Sequence, residues 1–245
     1  MRTIKLTIEY DGTNYCGWQV QRSRKKSIQG VLQETLSRIL QEEIRVKGAG
    51  RTDAGVHARA QVAHFETSSR RSLPTIQRAA NALLPRSIVI SRVREVPPFF
   101  HSRFQARWKT YRYTICNRRY RPVFDRQQVY YYPGKLDCEA MQQAARCLIG
   151  RHDFKAFQSA GGRQETVRTV KKIKIVKRSD FFYIDIEADG FLYNMVRAVV
   201  GTLIEAGRGR FSLPYVKNIL LSGERKLAGP TVPAQGLCLM QVKYR

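Results

Sequence analysis

The chain has 245 residues, 43% of them hydrophobic, and sets 44 Lys plus Arg against 19 Asp plus Glu for a formal net charge of +25. That length holds one large domain or two small ones with a proper core, and the apolar content excludes a disordered chain. An excess of one sign this large raises self-repulsion in the compact state, and a polyanionic partner is its simplest explanation. A surface built only for solubility mixes both signs, so nucleic acid stands ahead of membrane lipid.

The positive charge runs along the whole chain without a separate basic tail, so the folded body is expected to carry the binding surface. The five cysteines (Cys16, Cys116, Cys138, Cys147, Cys238) are odd in number and lack CxxC spacing. Neither a disulfide framework nor a zinc knuckle fits them, and a reducing cytoplasm does. The opening MRTIKLTIEY alternates apolar and polar residues without a signal-peptide core, and the apolar run from Val196 to Ile204 contains Arg197 and is too short to span a membrane.

In chain order, Thr3 to Glu9 alternate like a half-buried strand that Asp11-Gly12 ends. After the polar stretch Gln21 to Lys26, Ser27 caps a helix whose apolar face is Ile28, Val31, Leu32, Thr35, Leu36, Ile39 and Leu40. Strands are expected at Ile44 to Ala49 and Ala60 to Phe65, with Gly50 and Gly55 in the loop between them. A helix over Thr75 to Leu84 stops before Pro85, and a strand from Ile88 to Val96 leads into Pro97-Pro98, the best candidate for a boundary.

The second half repeats this order. Trp108 to Cys116 reads as a strand. Asp137 caps a helix with Met141, Ala144, Ala145 and Leu148 on one face, ended by Gly150. Val167 to Lys177 and Phe181 to Ala188 form a strand pair around Ser179-Asp180. A helix from Phe191 to Glu205 ends at Gly207, a short one spans Leu213 to Leu221, and Gly236 to Val242 is a last strand. The β-α-β-β-α-β order in both halves predicts an α+β fold of two related units, residues 1–97 and 98–245, with antiparallel sheets.

The segment GAGRTDAGVHARAQVAHF, Gly48 to Phe65, is the most informative. It is no dinucleotide-binding motif, because Asp53 holds the third glycine position and a strand, not a helix, follows. Physically, a carboxylate sits in a glycine-flanked loop two positions after Arg51, inside a strongly cationic chain. Nearby positive charge keeps such a carboxylate ionised and nucleophilic. The competing reading is an Asx-turn in which Asp53 only accepts backbone N–H bonds.

Arg197 stands on a helix that is otherwise apolar through Phe191, Leu192, Met195, Val196, Val199, Val200 and Leu203. A guanidinium there is costly unless an anion meets it, and its fork suits a carboxylate or a phosphate; a snorkelling or structural arginine is the alternative. In ARWKTYRYTI, Ala106 to Ile115, Tyr111 and Tyr113 share one strand face among cationic neighbours. Rings among cations make a stacking surface for unpaired bases, and equally a plain core and rim.

These residues, together with YDGTNYCGWQVQ (Tyr10 to Gln21), GRTDAGVHA (Gly50 to Ala58), NALLP (Asn81 to Pro85), HSRFQARWKTYRY (His101 to Tyr113), HDFKAF (His152 to Phe157), GFLYNMVRAVVGTLIEAG (Gly190 to Gly207) and GPTVPAQGLCL (Gly229 to Leu239), carry a resemblance over nearly the whole chain. The sequence resembles the tRNA pseudouridine synthase A family. The resemblance implies the pseudouridine synthase fold, two α+β halves around a central antiparallel sheet with helices packed on it and a basic cleft. It implies a homodimer acting on uridines of the tRNA anticodon stem-loop, at nucleotides 38, 39 and 40.

Position by position, Asp53 resembles the family's essential aspartate, and Tyr111 the residue that stacks on the target uracil. Arg197 resembles the arginine that pairs with the catalytic carboxylate, and Arg51 the one that enters the RNA helix and helps hold the flipped nucleotide. The isomerisation adds no atoms, so neither metal nor cofactor is required, which suits four scattered histidines without metal-ligand spacing. The rival readings are a synthase acting on other RNA positions and a non-catalytic RNA-binding protein.

Overall fold

The computed structural model describes residues 1–21, 26–162 and 164–244, so residues 22–25 of the polar stretch before Ser27 lie outside the described residues. The chain divides into two compact units, Met1–Arg107 with Cys238–Arg245, and Trp108–Leu237. Both are mixed sheets with packed helices, and the architecture is α+β.

The first unit contains β1 (Arg2–Tyr10), α1 (Ile28–Leu40), β2 (Lys47–Gly48), β3 (His57–Thr67), α2 (Leu73–Leu83) and β4 (Ile88–Val96). Alternation in β1 sends Ile4, Leu6 and Ile8 fully inward. The strand runs antiparallel to β3 (Ile4↔Phe65, Leu6↔Ala63) and to β4 (Thr3↔Val96). Ser27 caps α1, its Oγ accepting the Gly30 N–H at 3.1 Å, and the expected stripe is buried at Ile28, Leu32, Thr35, Leu36, Ile39 and Leu40. Ser72 caps α2 in the same way, with Pro74 in the first turn, and the helix ends before Pro85.

The expected strand at Ile44 to Ala49 shrinks to β2. Polar side chains on and beside α1 take the backbone groups a ladder would have used. Ser37 Oγ accepts the Ile44 N–H at 2.9 Å, Gln33 Oε1 accepts the Val46 N–H at 3.1 Å, and Gln29 Nε2 donates to the Val46 carbonyl at 2.8 Å. Ile44 and Val46 remain buried although they are not in a strand.

Where the sequence suggested a joint near Pro97, the units part at Arg107/Trp108. The segment after Pro97 packs on the first unit: the Ser102 amide donates to His64 Nδ1 at 3.2 Å, and the Arg107 amide donates to the Lys243 carbonyl at 2.8 Å. The last strand, β10 (Leu237–Lys243), also returns to this unit from Cys238 on. It pairs parallel with β3 through Cys238↔His57 and Leu239↔Ala58.

The second unit contains β5 (Trp108–Cys116), β6 (Tyr130–Tyr131), α3 (Cys138–Arg146), β7 (Gly150–Asp153), β8 (Val167–Arg178), β9 (Phe181–Ala188), α4 (Met195–Gly207) and α5 (Leu213–Ser222). Its sheet runs β5-β9-β8-β7 with antiparallel neighbours, and β6 lies parallel along β5. Asp137 caps α3 by accepting the Glu139 and Ala140 amides. The helix stops before Gly150, whose φ of 116° already opens β7. The helix expected from Phe191 begins instead at Met195, because Asn194 is left-handed at φ 60° and breaks the helical path ahead of it.

Candidate active site

The Asp53 loop of the first unit is fixed from several sides. Gln61 on β3, fully buried, donates Nε2 to the Gly50 carbonyl at 2.9 Å. The Trp18 amide donates to the Thr52 carbonyl at 3.0 Å, and Thr52 Oγ1 meets the buried hydroxyl of Tyr10 at 2.8 Å. The Val56 amide donates to the Asp53 carbonyl at 3.1 Å, closing a turn in which Gly55 takes φ 77°. Asp53 itself is half-buried at the start of that turn.

Glycines clear the space for this arrangement. A Cβ on Gly12 would fall 2.1 Å from the Val56 carbonyl oxygen, and one on Gly17 would fall 2.5 Å from that of Thr52. The Gly12 amide donates to His57 Nδ1 at 3.1 Å, tying the end of β1 to the start of β3. Asp11 beside it is held below the ordinary carboxylate range. Burial alone would raise it, but hydrogen bonds from the Thr13 hydroxyl and amide and the proximity of His57 outweigh that. Arg51 is exposed, and its Nε donates to Gln19 Oε1 at 3.1 Å. Gln19 in turn donates to Gln29 Oε1 at 2.7 Å, so a relay of amides connects the guanidinium to α1.

The second unit holds Tyr111 and Arg197. Tyr111 and Tyr113 point to one face of β5, opposite Ile186 and Ile184, and both are buried. The hydroxyl of Tyr113 donates to the Pro233 carbonyl at 2.7 Å, and burial raises its pKa, so it is a structural donor. The ring of Tyr111 is packed edge-to-face on Phe191, centroids 5.1 Å apart at 86°. On the opposite face Arg112 makes a bidentate pair with Asp185 at 2.7 and 2.8 Å, which separates it from Tyr111 in role.

Arg197 lies in the first turn of α4, half-buried. Its Nε donates to the Val232 carbonyl at 2.7 Å and its Nη1 to Asn194 Oδ1 at 2.8 Å. The segment that presents Val232 crosses α4 closely, since a Cβ on Gly201 would fall 1.9 Å from the Pro230 carbonyl oxygen. The structure therefore sets Arg51 and Asp53 in one loop of the first unit, and Tyr111 and Arg197 on neighbouring elements of the second. Among the described residues, no group of three or more His, Cys, Asp or Glu could hold a metal ion, and no helix is long and apolar enough to cross a membrane.

The sequence model of the tRNA pseudouridine synthase family matches residues 6–105 and 144–245, which takes in the Asp53 loop and α4. The chain belongs to the tRNA pseudouridine synthase family.

Relatives in this family align along their whole length. The chain is 47% identical over 245 residues to tRNA pseudouridine synthase A 2 of Clostridium perfringens, covering 100% of both. It is 46% identical to tRNA pseudouridine synthase A of Clostridium kluyveri and 47% identical to that of Pelobacter propionicus, again covering 100% of both chains in each case. The strand that carries Tyr111 falls between the two matched stretches of the family model and is covered by the full-length relatives.

Sequence reasoning about this pseudouridine synthase missed the residues that support the site. Gln19, Gln29 and Gln61 are neutral and have no signature spacing, and their function is visible only through the atoms they reach. Phe191 was legible only as a helix residue, whereas it lies ahead of α4 and sets the ring of Tyr111. Gly17, with φ 100°, carried a signal that could have been used: a glycine directly before a large buried residue, Trp18, marks a close backbone approach.

Proposed function

We propose that the chain isomerises uridine to pseudouridine in tRNA, with Asp53 as the catalytic carboxylate and Tyr111, Arg51 and Arg197 as substrate-binding residues. The observation that carries this reading is the Asp53 loop: a half-buried carboxylate on a glycine turn locked by Gln61, Tyr10 and Trp18, in a chain of charge +25. A rigid acid amid cations serves an RNA enzyme and has no use in a plain binder of phosphates.

In the reaction the N1–C1′ bond breaks, the uracil turns, and C5 joins C1′; the proton leaves C5 and N1 gains one. The target base first leaves its stack, at a cost of a few kcal/mol that stacking and space-filling side chains offset. Tyr111, its ring angle set by Phe191, provides the stacking surface, and Arg51, steadied by Gln19, enters the vacated space. Asp53 acts as an anion, attacking C1′ or C6, or taking the C2′ proton as N1 departs to leave a glycal and returning it to C2′ when C5 joins C1′, and every route needs it ionised. Arg197 supplies a positive charge fixed by Val232 and Asn194. We infer the three neighbouring positions of the anticodon stem-loop as targets, a spread that calls for reading of shape and backbone rather than base sequence. We further propose, on the strength of the family resemblance, that it works as a homodimer in the cytoplasm.

Tritium release from tRNA labelled at uracil C5 tests the assignment. The wild-type chain is expected to release label, and Asp53→Asn to bind tRNA while releasing none. Substantial turnover by the Asn variant refutes the role of Asp53, and tRNA binding without any product by the wild-type chain favours a non-catalytic binder. Mapping pseudouridines in RNA from a strain lacking the protein identifies the positions.

A further inference from the structure

Among the described residues, Arg168 on β8 is a buried cation without an acidic partner. The side chain is 9% exposed, and its one hydrogen bond runs from Nη1 to the carbonyl of its own neighbour Val167. Several charged groups of the same unit are matched by an ion of opposite sign. Arg112 has Asp185, Lys171 has Glu187, and buried Glu205 has Arg208 and Arg210. Half-buried Arg225 is satisfied instead by the Ala228 and Gly229 carbonyls and the Thr231 hydroxyl. A guanidinium withdrawn from water without a carboxylate is unfavourable until an anion reaches it. Its planar fork suits a phosphodiester better than a lone carbonyl.

Its position says which anion. The β8–β9 register sets Val170 opposite Ala188, which brings the stem of Arg168 alongside Gly190. A Cβ on Gly190 would lie 3.3 Å from Arg168 Nε and 3.4 Å from its Cδ, so the glycine leaves room for the arginine. The next residue is Phe191, whose ring meets Tyr111. Lys109 and Tyr111 lie opposite Ala188 and Ile186, so they share a sheet face with Val170 and Arg168. His152 of β7 pairs with Arg168 across the ladder, and its ring nitrogen Nε2 is engaged by the Ile149 carbonyl at 2.9 Å. The buried cation therefore sits around the Gly190–Phe191 corner from the ring that we read as the uracil platform.

We propose that Arg168 binds a backbone phosphodiester of the RNA beside the target nucleotide, a contact separate from Arg51 and Arg197. The inference rests on the RNA reading given above. It makes Arg168 a residue whose positive charge is held in reserve by the fold and matched only in the complex.

The test compares wild type, Arg168→Gln and Arg168→Lys in binding an unmodified tRNA transcript across a range of salt concentrations, with thermal unfolding of each free protein. For Arg168→Gln the affinity is expected to fall on the order of tenfold. The slope of log affinity against log salt should fall by roughly 0.7–0.9, the loss of one phosphate contact. Its unfolding midpoint should stay level or rise, because an unmatched charge has gone. Arg168→Lys, which keeps the charge, should keep the slope. An unchanged slope in Arg168→Gln overturns the proposal, as does a lowered midpoint with unchanged slope, which would mean that the arginine merely props the Gly190 corner.

A scan of single methylphosphonate linkages on both sides of the target uridine, read with wild type and Arg168→Lys, applies even if the Gln variant fails to fold. One neutral linkage must weaken binding, and a scan with no sensitive linkage overturns the proposal. Tritium release by the wild-type chain on the same tRNA separates the two readings. No release defeats the enzyme reading, whereas release with an unchanged Arg168 slope defeats this inference alone.

Discussion

Gly17 passes beneath the carbonyl of Thr52 with no room for a side chain, since a Cβ on it would stand 2.5 Å from that oxygen and 3.0 Å from the carbonyl carbon of Asp53. Its φ of 100° is a second obstacle to any other residue. Gly17→Ala is expected to cost about 1–3 kcal/mol of stability. Tritium release should fall further than the loss of folded protein explains, because the clash is relieved by moving the Asp53 backbone. A normal unfolding midpoint with normal turnover would contradict this.

The relay from Arg51 through Gln19 to Gln29 gives a positional prediction. Gln19→Ala leaves Arg51 in place but frees its guanidinium, and should raise KM for tRNA several-fold with kcat less affected. Because the contact is exposed, stability should change by no more than about 0.5 kcal/mol. Steady-state kinetics beside a thermal melt checks both, and an effect on kcat alone would argue against the relay.

Tyr111 and Tyr113 share a strand face but should separate by experiment. Tyr113→Phe leaves the Pro233 carbonyl unmatched in a buried site and should destabilise by about 1–3 kcal/mol, with normal product formation per folded molecule. Tyr111→Ala removes the ring that Phe191 orients and should abolish most product while tRNA binding persists. The reverse pattern would move the uracil-stacking role to Tyr113.

His64 makes stability depend on pH. Burial, with the nearby His101 and Lys47, lowers its pKa from 6.5 to about 4, and its Nδ1 accepts the Ser102 amide at 3.2 Å, which a proton would displace. An unfolded chain takes up that proton near 6.5, the folded one only near 4. Between these values the unfolded state holds more protons, so stability falls as pH is lowered from 6.5 to about 4, and below that this group adds no further loss. Thermal midpoints across that window should decline, and His64→Gln should flatten the decline.

Much of the fold was legible where local signals and tertiary demands agree. Ser27 and the stripe after it define α1, and strands β4, β5 and β9 run over the residues expected for them. The strand before the Asp53 loop was overstated, because Ile44 and Val46 are apolar for burial and not for pairing: Ser37 and Gln33 had already taken their amides. The start of α4 was misplaced because apolarity runs through Phe191 and Leu192 into the helix, while the left-handed Asn194 that breaks it looks like any polar residue. In the site, the acid and its glycines were readable as a motif. The glutamines that hold the loop were not, since a neutral amide announces nothing until its partner atoms are in place.

The parallel pairing of Cys238 and Leu239 with His57 and Ala58 bears on biogenesis. The sheet that supports the Asp53 loop lacks a strand until the residues from Cys238 to Lys243, translated after the whole second unit, have left the ribosome. A nascent chain therefore carries the acid long before it has the complete scaffold for it, and the second unit is an insertion that can condense while the first waits. Pulse proteolysis of stalled chains should find Trp108–Leu237 protected only once it has emerged whole, and the Asp53 loop cleavable until β10 has emerged.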